Sequence, residues 1–131
     1  MNNLNKLSKQ IYEGNKLRGF DVSKENVGQT LMLVVSELSE ALEAHRKDKQ
    51  ANYNGFDAMI WKNQDQERFE TKENFKQSFE CCFKDTFEDE IADTFIRLFD
   101  LCGGLNIDIE KHIELKLQYN QSREYKHGKK Y

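Results

Sequence analysis

Apolar residues recur at three- and four-residue steps wherever the chain shows a clear period, and none of its residues is proline. That pattern predicts an all-α protein, since nothing interrupts a run of i→i−4 hydrogen bonds. Leu4, Leu7 and Ile11 mark one face of a first helix, closed by residues 14–19 with a glycine at each end. Ser23 is placed to cap a second helix running to about Lys47, with Leu31, Val34, Val35, Leu38, Ala41 and Leu42 on its buried side. Thr86 and Asp89 form an S/T-x-x-D start signal for a third helix, whose apolar side is Phe87, Ile91, Phe95, Leu98, Phe99 and Cys102 and whose end is the Gly103-Gly104 pair. Asp108 caps a fourth, carrying Ile109, Ile113 and Leu117 to about Arg123.

Residues 48–85, between the second and third helices, have a weaker period but hold Tyr53, Phe56, Trp61, Phe69, Phe75, Phe79 and Phe83. So many aromatics argue against a disordered linker. Phe75, Phe79 and Phe83 recur every four residues, which predicts one extra short helix over 72–83. The expected architecture is therefore four main helices plus that short helix in an aromatic-rich insertion, forming a single domain over residues 1–131.

Composition narrows the function. A formal net charge of −3 argues against holding long nucleic acid, which requires a basic face spanning many phosphates. The first residues lack a signal-type apolar core, and the longest strictly apolar run is Leu31 to Val35, so a cytoplasmic protein without membrane association is expected. The 3 cysteines, two of them adjacent, form neither a disulfide framework nor a paired zinc motif and read as reduced packing thiols.

Two acidic pairs stand out. Glu37 and Glu40 lie three apart on the second helix, and Glu90 and Asp93 repeat the spacing on the third, so each pair points one way from the border of an apolar face. One E-x-x-E is ordinary on a solvated helix, and Glu43, opposite the apolar face, is assigned to solvent. Two such pairs on packed helices crowd four like charges, which a hard divalent cation would neutralise. Oxygen-only donors suit Mg2+ or Mn2+. Arg97 offers a competing structural role, as an ion-pair partner for Asp93 or Asp100.

On the fourth helix His112, Lys116, Asn120 and Arg123 fall along one side, with Lys126, Lys129 and Lys130 beyond. Such a set either complements the helix dipole or binds phosphate. Beside metal-binding carboxylates, the second role describes a site for a nucleotide polyphosphate.

The ordered set "SELSEALEAHR", "FEDEIADTFIRLFDLCGGLNID" and "KLQYNQSREYKHGKKY" resembles the MazG-like all-α nucleoside triphosphate pyrophosphohydrolases, whose pattern is E-x-x-E, E-x-x-D and K-x-x-x-N-x-x-R on successive helices. The resemblance implies that Glu37, Glu40, Glu90 and Asp93 hold magnesium while Lys116, Asn120 and Arg123 contact phosphates. It implies cleavage between the α and β phosphates to a monophosphate and pyrophosphate in nucleotide-pool housecleaning, with one carboxylate, such as Glu40, taking a proton from the attacking water. It also implies a homodimer or dimer of dimers, with Asn15 and Phe20 as candidates near the base.

Three departures are visible. Ser39 stands where the family often has glycine, Glu124 where it often has proline, and the two acidic motifs are further apart than is common. Residues 48–85 accordingly have two readings, packing or dimer contact on one hand and a lid placing Trp61 or a phenylalanine against a nucleobase on the other. The competing functions are a pyrophosphatase for a phosphoribosylated or modified nucleotide, and a noncatalytic nucleotide-sensing helical module.

Overall fold

α-Helices over Leu4–Leu17, Tyr53–Gln64, Phe87–Gly104 and Ile109–Gln121 each begin where a short polar side chain accepts one of the first N–H groups. The computed structural model describes residues 3–64 and 71–123; the side chains of 61–64, 71 and 72 lie outside that description, as do the basic tail and Glu124. Among the described residues there are six helices and no strand: α1 (Leu4–Leu17), α2 (Val27–Arg46), α3 (Tyr53–Gln64), α4 (Thr71–Cys82), α5 (Phe87–Gly104) and α6 (Ile109–Gln121). None of them is long and apolar enough to cross a membrane. The chain divides into two compact units, residues 31–97 and residues 1–30 with 98–131, the divisions falling inside α2 and α5.

In the unit of residues 31–97, the aromatic-rich insertion forms two helices where the period predicts one. Asn52 starts α3 by accepting the Gly55 N–H at 2.9 Å on Oδ1, a cap obscured in the sequence by the weak helix formers Asn54 and Gly55. The rings join α3 to α4: Phe56 stacks on Phe83 at 4.6 Å between centroids and meets Phe75 edge-on at 5.8 Å. Ser78, fully buried, turns its hydroxyl onto the Asn74 carbonyl. The Asn52 N–H bonds the Cys82 carbonyl, and the Phe87 N–H bonds that of Lys49, so the end of α4 and the start of α5 are tied to the residues after α2. α2 itself stops at a left-handed Asp48, with the Lys49 N–H returning to Ala44.

The start of α5 follows the predicted signal with one change. Thr86 Oγ1 accepts the Asp89 N–H at 3.3 Å, but Asp89 reaches back to the N–H of left-handed Asp85 at 3.0 Å instead of that of Thr86, which is engaged with the Phe83 carbonyl.

The unit of residues 1–30 and 98–131 pairs α1 with α6. Asp108 caps α6 through the Lys111 N–H at 3.0 Å and also accepts from Asn5 at 2.8 Å, which pins α1 to the cap. Two sequence expectations change here. Gly14 lies inside α1, which runs on to Leu17 before a left-handed Gly19. The α2 start moves from Ser23 to Asn26, because the Asn26 side chain folds back onto the Ser23 N–H and the Asp21 carbonyl. α5 ends at Gly104, as the Gly103-Gly104 pair predicts, followed by a left-handed Asn106 with the Ile107 N–H closing onto Cys102. The glycines are required by close approach, since a Cβ on Gly103 would stand 2.5 Å from the Ser8 carbonyl oxygen and one on Gly104 2.8 Å from that of Val22.

The apolar stripes also turn differently from expectation. The buried side of α2 is Thr30, Val34, Glu37, Ala41 and Ala44, while Leu31, Val35, Leu38 and Leu42 line a face about 100° round the helix and remain exposed. α5 repeats this: Glu90, Thr94 and Leu101 are buried while Phe95 is exposed, and α6 buries none of its residues fully. Small and polar side chains thus occupy the inner faces.

Candidate metal centre

The acids of residues 31–97 sort by whether the fold already uses them. Glu43 is exposed and paired with Arg46 and Lys47, each at 3.3 Å, which agrees with its assignment to solvent. Glu88 accepts the Ala51 N–H at 2.8 Å and Asp89 that of Asp85, so both serve the start of α5. Glu37 accepts from Arg97 Nε at 2.6 Å. Among the described residues, the carboxylates of Glu40, Glu90 and Asp93 accept no hydrogen bond.

These acids converge. Glu37, Glu40 and Glu90 each offer an oxygen within 4.8 Å of the others, and Asp93 lines a cleft together with Glu40 and Glu90. Glu37 is 7 % exposed and Glu90 5 %, so these two lie on the buried stripes themselves, inside the border position that the spacing suggests. Glu40 is exposed.

The electrostatics follow from that placement. Burial, then the charges of Glu40, Glu37, Asp89 and Asp93, push the Glu90 carboxyl up to about 7. Burial and Asp89 raise that of Asp93, Glu37 and Glu40 add to the rise, and Arg97 opposes it. A buried carboxyl that accepts no hydrogen bond among the described residues and faces two others is an incomplete electrostatic arrangement. An all-oxygen set of three or four carboxylates suits a hard divalent cation, and the Glu90 oxygens, which accept no hydrogen bond among the described residues, are available to ligate one.

Arg97 corrects one sequence expectation. Asp93 and Asp100 stand nearest on its own helix, yet its 2.6 Å bond goes across to Glu37 on α2. Glu37 is buried where Asp93 is only half-buried, and a buried carboxylate gains most from a counter-charge.

Of the predicted phosphate-binding residues, Lys116 and Arg123 bracket the Tyr119 ring of α6, their charged groups 4.9 and 5.7 Å from its centroid. Asn120 is half-buried beside them, and all three belong to the unit of residues 1–30 and 98–131.

Two lysines that the sequence does not single out, Lys76 on α4 and Lys84 after it, line the cleft of Glu40, Glu90 and Asp93. Lys76 is one residue past Phe75 in the four-residue aromatic period, and no local pattern connects it to acids on other helices.

No family model matches the chain, and comparison with curated proteins and with solved structures finds no match. The class of protein defined by the described residues is an all-helical one bearing a cluster of three carboxylates, two of them buried.

Proposed function

We propose that the chain is a Mg2+-dependent nucleoside triphosphate pyrophosphohydrolase of MazG-like type, cleaving (d)NTP to (d)NMP and pyrophosphate in nucleotide-pool housecleaning. In this reading α1, α2, α5 and α6 are the four main helices of the bundle, and α3 and α4 are its insertion. The observation that carries the proposal is the convergence within 4.8 Å of Glu37, Glu40 and Glu90, two of them buried. Like charges brought together without a full set of internal partners are costly, and cation binding relieves that cost.

Glu37, Glu40, Glu90 and Asp93 hold Mg2+, with Mn2+ acceptable to the same donors. The bound ion supplies charge neutralisation and Lewis acidity at the α–β anhydride. Arg97 holds Glu37 in place as a ligand. Glu40, exposed and without a hydrogen bond among the described residues, accepts the proton of the attacking water. Lys116, Asn120 and Arg123 contact phosphates. The homodimer or dimer of dimers that goes with this reading is supported by the apolar face of Leu31, Val35, Leu38 and Leu42.

The test is a panel of standard and modified NTPs and dNTPs incubated with and without Mg2+, with monophosphate and pyrophosphate both quantified. Equal amounts of the two, formed only with the cation, are expected. Orthophosphate with a diphosphate would reject the cleavage site, and no turnover on any substrate would favour a nucleotide-sensing module.

A further inference from the structure

The carboxylates open into a cleft of about 480 Å³ whose other wall is α4, and this wall carries chemistry of its own. Phe75 and Phe79 lie one helical turn apart on it, their ring planes inclined by 29° with centroids 6.1 Å apart. Phe75 touches Phe56 edge-on yet stays 53 % exposed, a large apolar surface left at the margin of an acidic cleft. Beside the rings Lys76 makes no ion pair among the described residues, and Lys84 lies at the end of the wall, bonded to Asp85 at 2.9 Å. The volume falls within the range of small-ligand sites, about 300 to 1,000 Å³.

This combination constrains the ligand. Acids outnumber lysines around the cleft, so an anion enters favourably only together with a cation, while the exposed Phe75 ring and the half-buried Phe79 favour a flat, polarisable group. Glu90, buried and accepting no hydrogen bond among the described residues, lies at the acidic side. A nucleotide accompanied by a divalent ion satisfies all three features. The geometry points to α4 as the nucleobase-reading wall of this cleft, with the Phe75 and Phe79 rings stacking on the base and Lys76 contacting the polyphosphate.

The assignment rests on the pyrophosphohydrolase reading and adds to it the element that distinguishes a nucleotide from bare polyphosphate. Phe75 and Phe79 act on the base, which every nucleotide presents as a π face. Lys76 acts on charge, which inorganic tripolyphosphate also presents. Removing a ring should therefore weaken nucleotide binding selectively, and removing the lysine charge should weaken both ligands.

Calorimetric titration with Mg2+ present measures this, using α,β-methylene nucleoside triphosphates of one purine and one pyrimidine beside inorganic tripolyphosphate. Wild type should bind the nucleotides more tightly than tripolyphosphate. Phe75→Ala and the gentler Phe75→Leu should each lose roughly fivefold or more in nucleotide affinity while tripolyphosphate stays within about twofold. Lys76→Gln should weaken both. Nucleotide affinity unchanged in both Phe75 variants, or tripolyphosphate lost in parallel with it, would overturn the role of α4; hydrolysis of NTPs by wild type would still uphold the pyrophosphohydrolase reading. A wild type that neither binds nor hydrolyses any nucleotide overturns both.

Discussion

Glu90 concentrates the conflict at the residue scale, as a carboxyl buried beside three other acids. Its folded-state value of about 7 lies above the ordinary 4.5, so the folded protein holds a proton that the unfolded chain releases. The stability attached to this group is therefore complete below about pH 4.5 and is lost as pH rises through 7. In chelator, the Tm of wild type minus that of Glu90→Gln should fall across this window, and Mg2+ should flatten the fall. Glu90→Gln or Glu37→Gln should reduce pyrophosphate release by about a hundredfold or more. Glu90→Gln should also raise metal-free stability at pH 8 by about 1–3 kcal/mol, as read by chemical denaturation. Near-normal turnover in either variant would remove both from the ligand set. Arg97→Met acts in the opposite direction, because it strips the buried Glu37 of its partner; a loss of about 1–3 kcal/mol is expected, shrinking when Mg2+ is added.

At the scale of elements, the caps and breakers separate what local rules read well from what they miss. Asp108 and Thr86 are legible because a cap is a bond between a residue and its near neighbours. Asp108→Ala should cost about 1 kcal/mol, with the lost Asn5 contact adding to it. Gly103 and Gly104 read as a helix end, but their reason for being glycine lies some ninety residues away at Ser8, Tyr12 and Val22, beyond the reach of a local pattern. Gly103→Ala should lower stability by about 1–3 kcal/mol, measured by thermal or denaturant unfolding, although alanine is the better helix former. α3 escaped for a related reason: its Asn and Gly depress helix propensity, and the aromatic contacts with α4 compensate.

Over the whole molecule, the exposed apolar surface is the feature most in need of a partner. Leu31, Val35, Leu38 and Leu42 follow helical spacing and are each close to half exposed. Light scattering coupled to size exclusion should therefore give the mass of two or four chains, and Leu38→Glu should shift it to one. A monomeric wild type would leave that stripe without the proposed function. The apolar period is the same whether a face meets its own chain or a second copy, so sequence periodicity alone cannot assign the partner.

By itself the sequence determined the all-helical class and the positions of most helices, because the spacing of apolar residues and the caps are local properties of a chain without proline. It also singled out Glu37, Glu40, Glu90 and Asp93, since the i,i+3 spacing orients each pair along one helix face. Only tertiary structure decided that Glu37 and Glu90 are buried, that Arg97 serves Glu37, and that Phe75 and Lys76 share a cleft with the acids. Those facts depend on which faces of separate helices meet, and burial and charge pairing are energies of that meeting rather than of any segment alone.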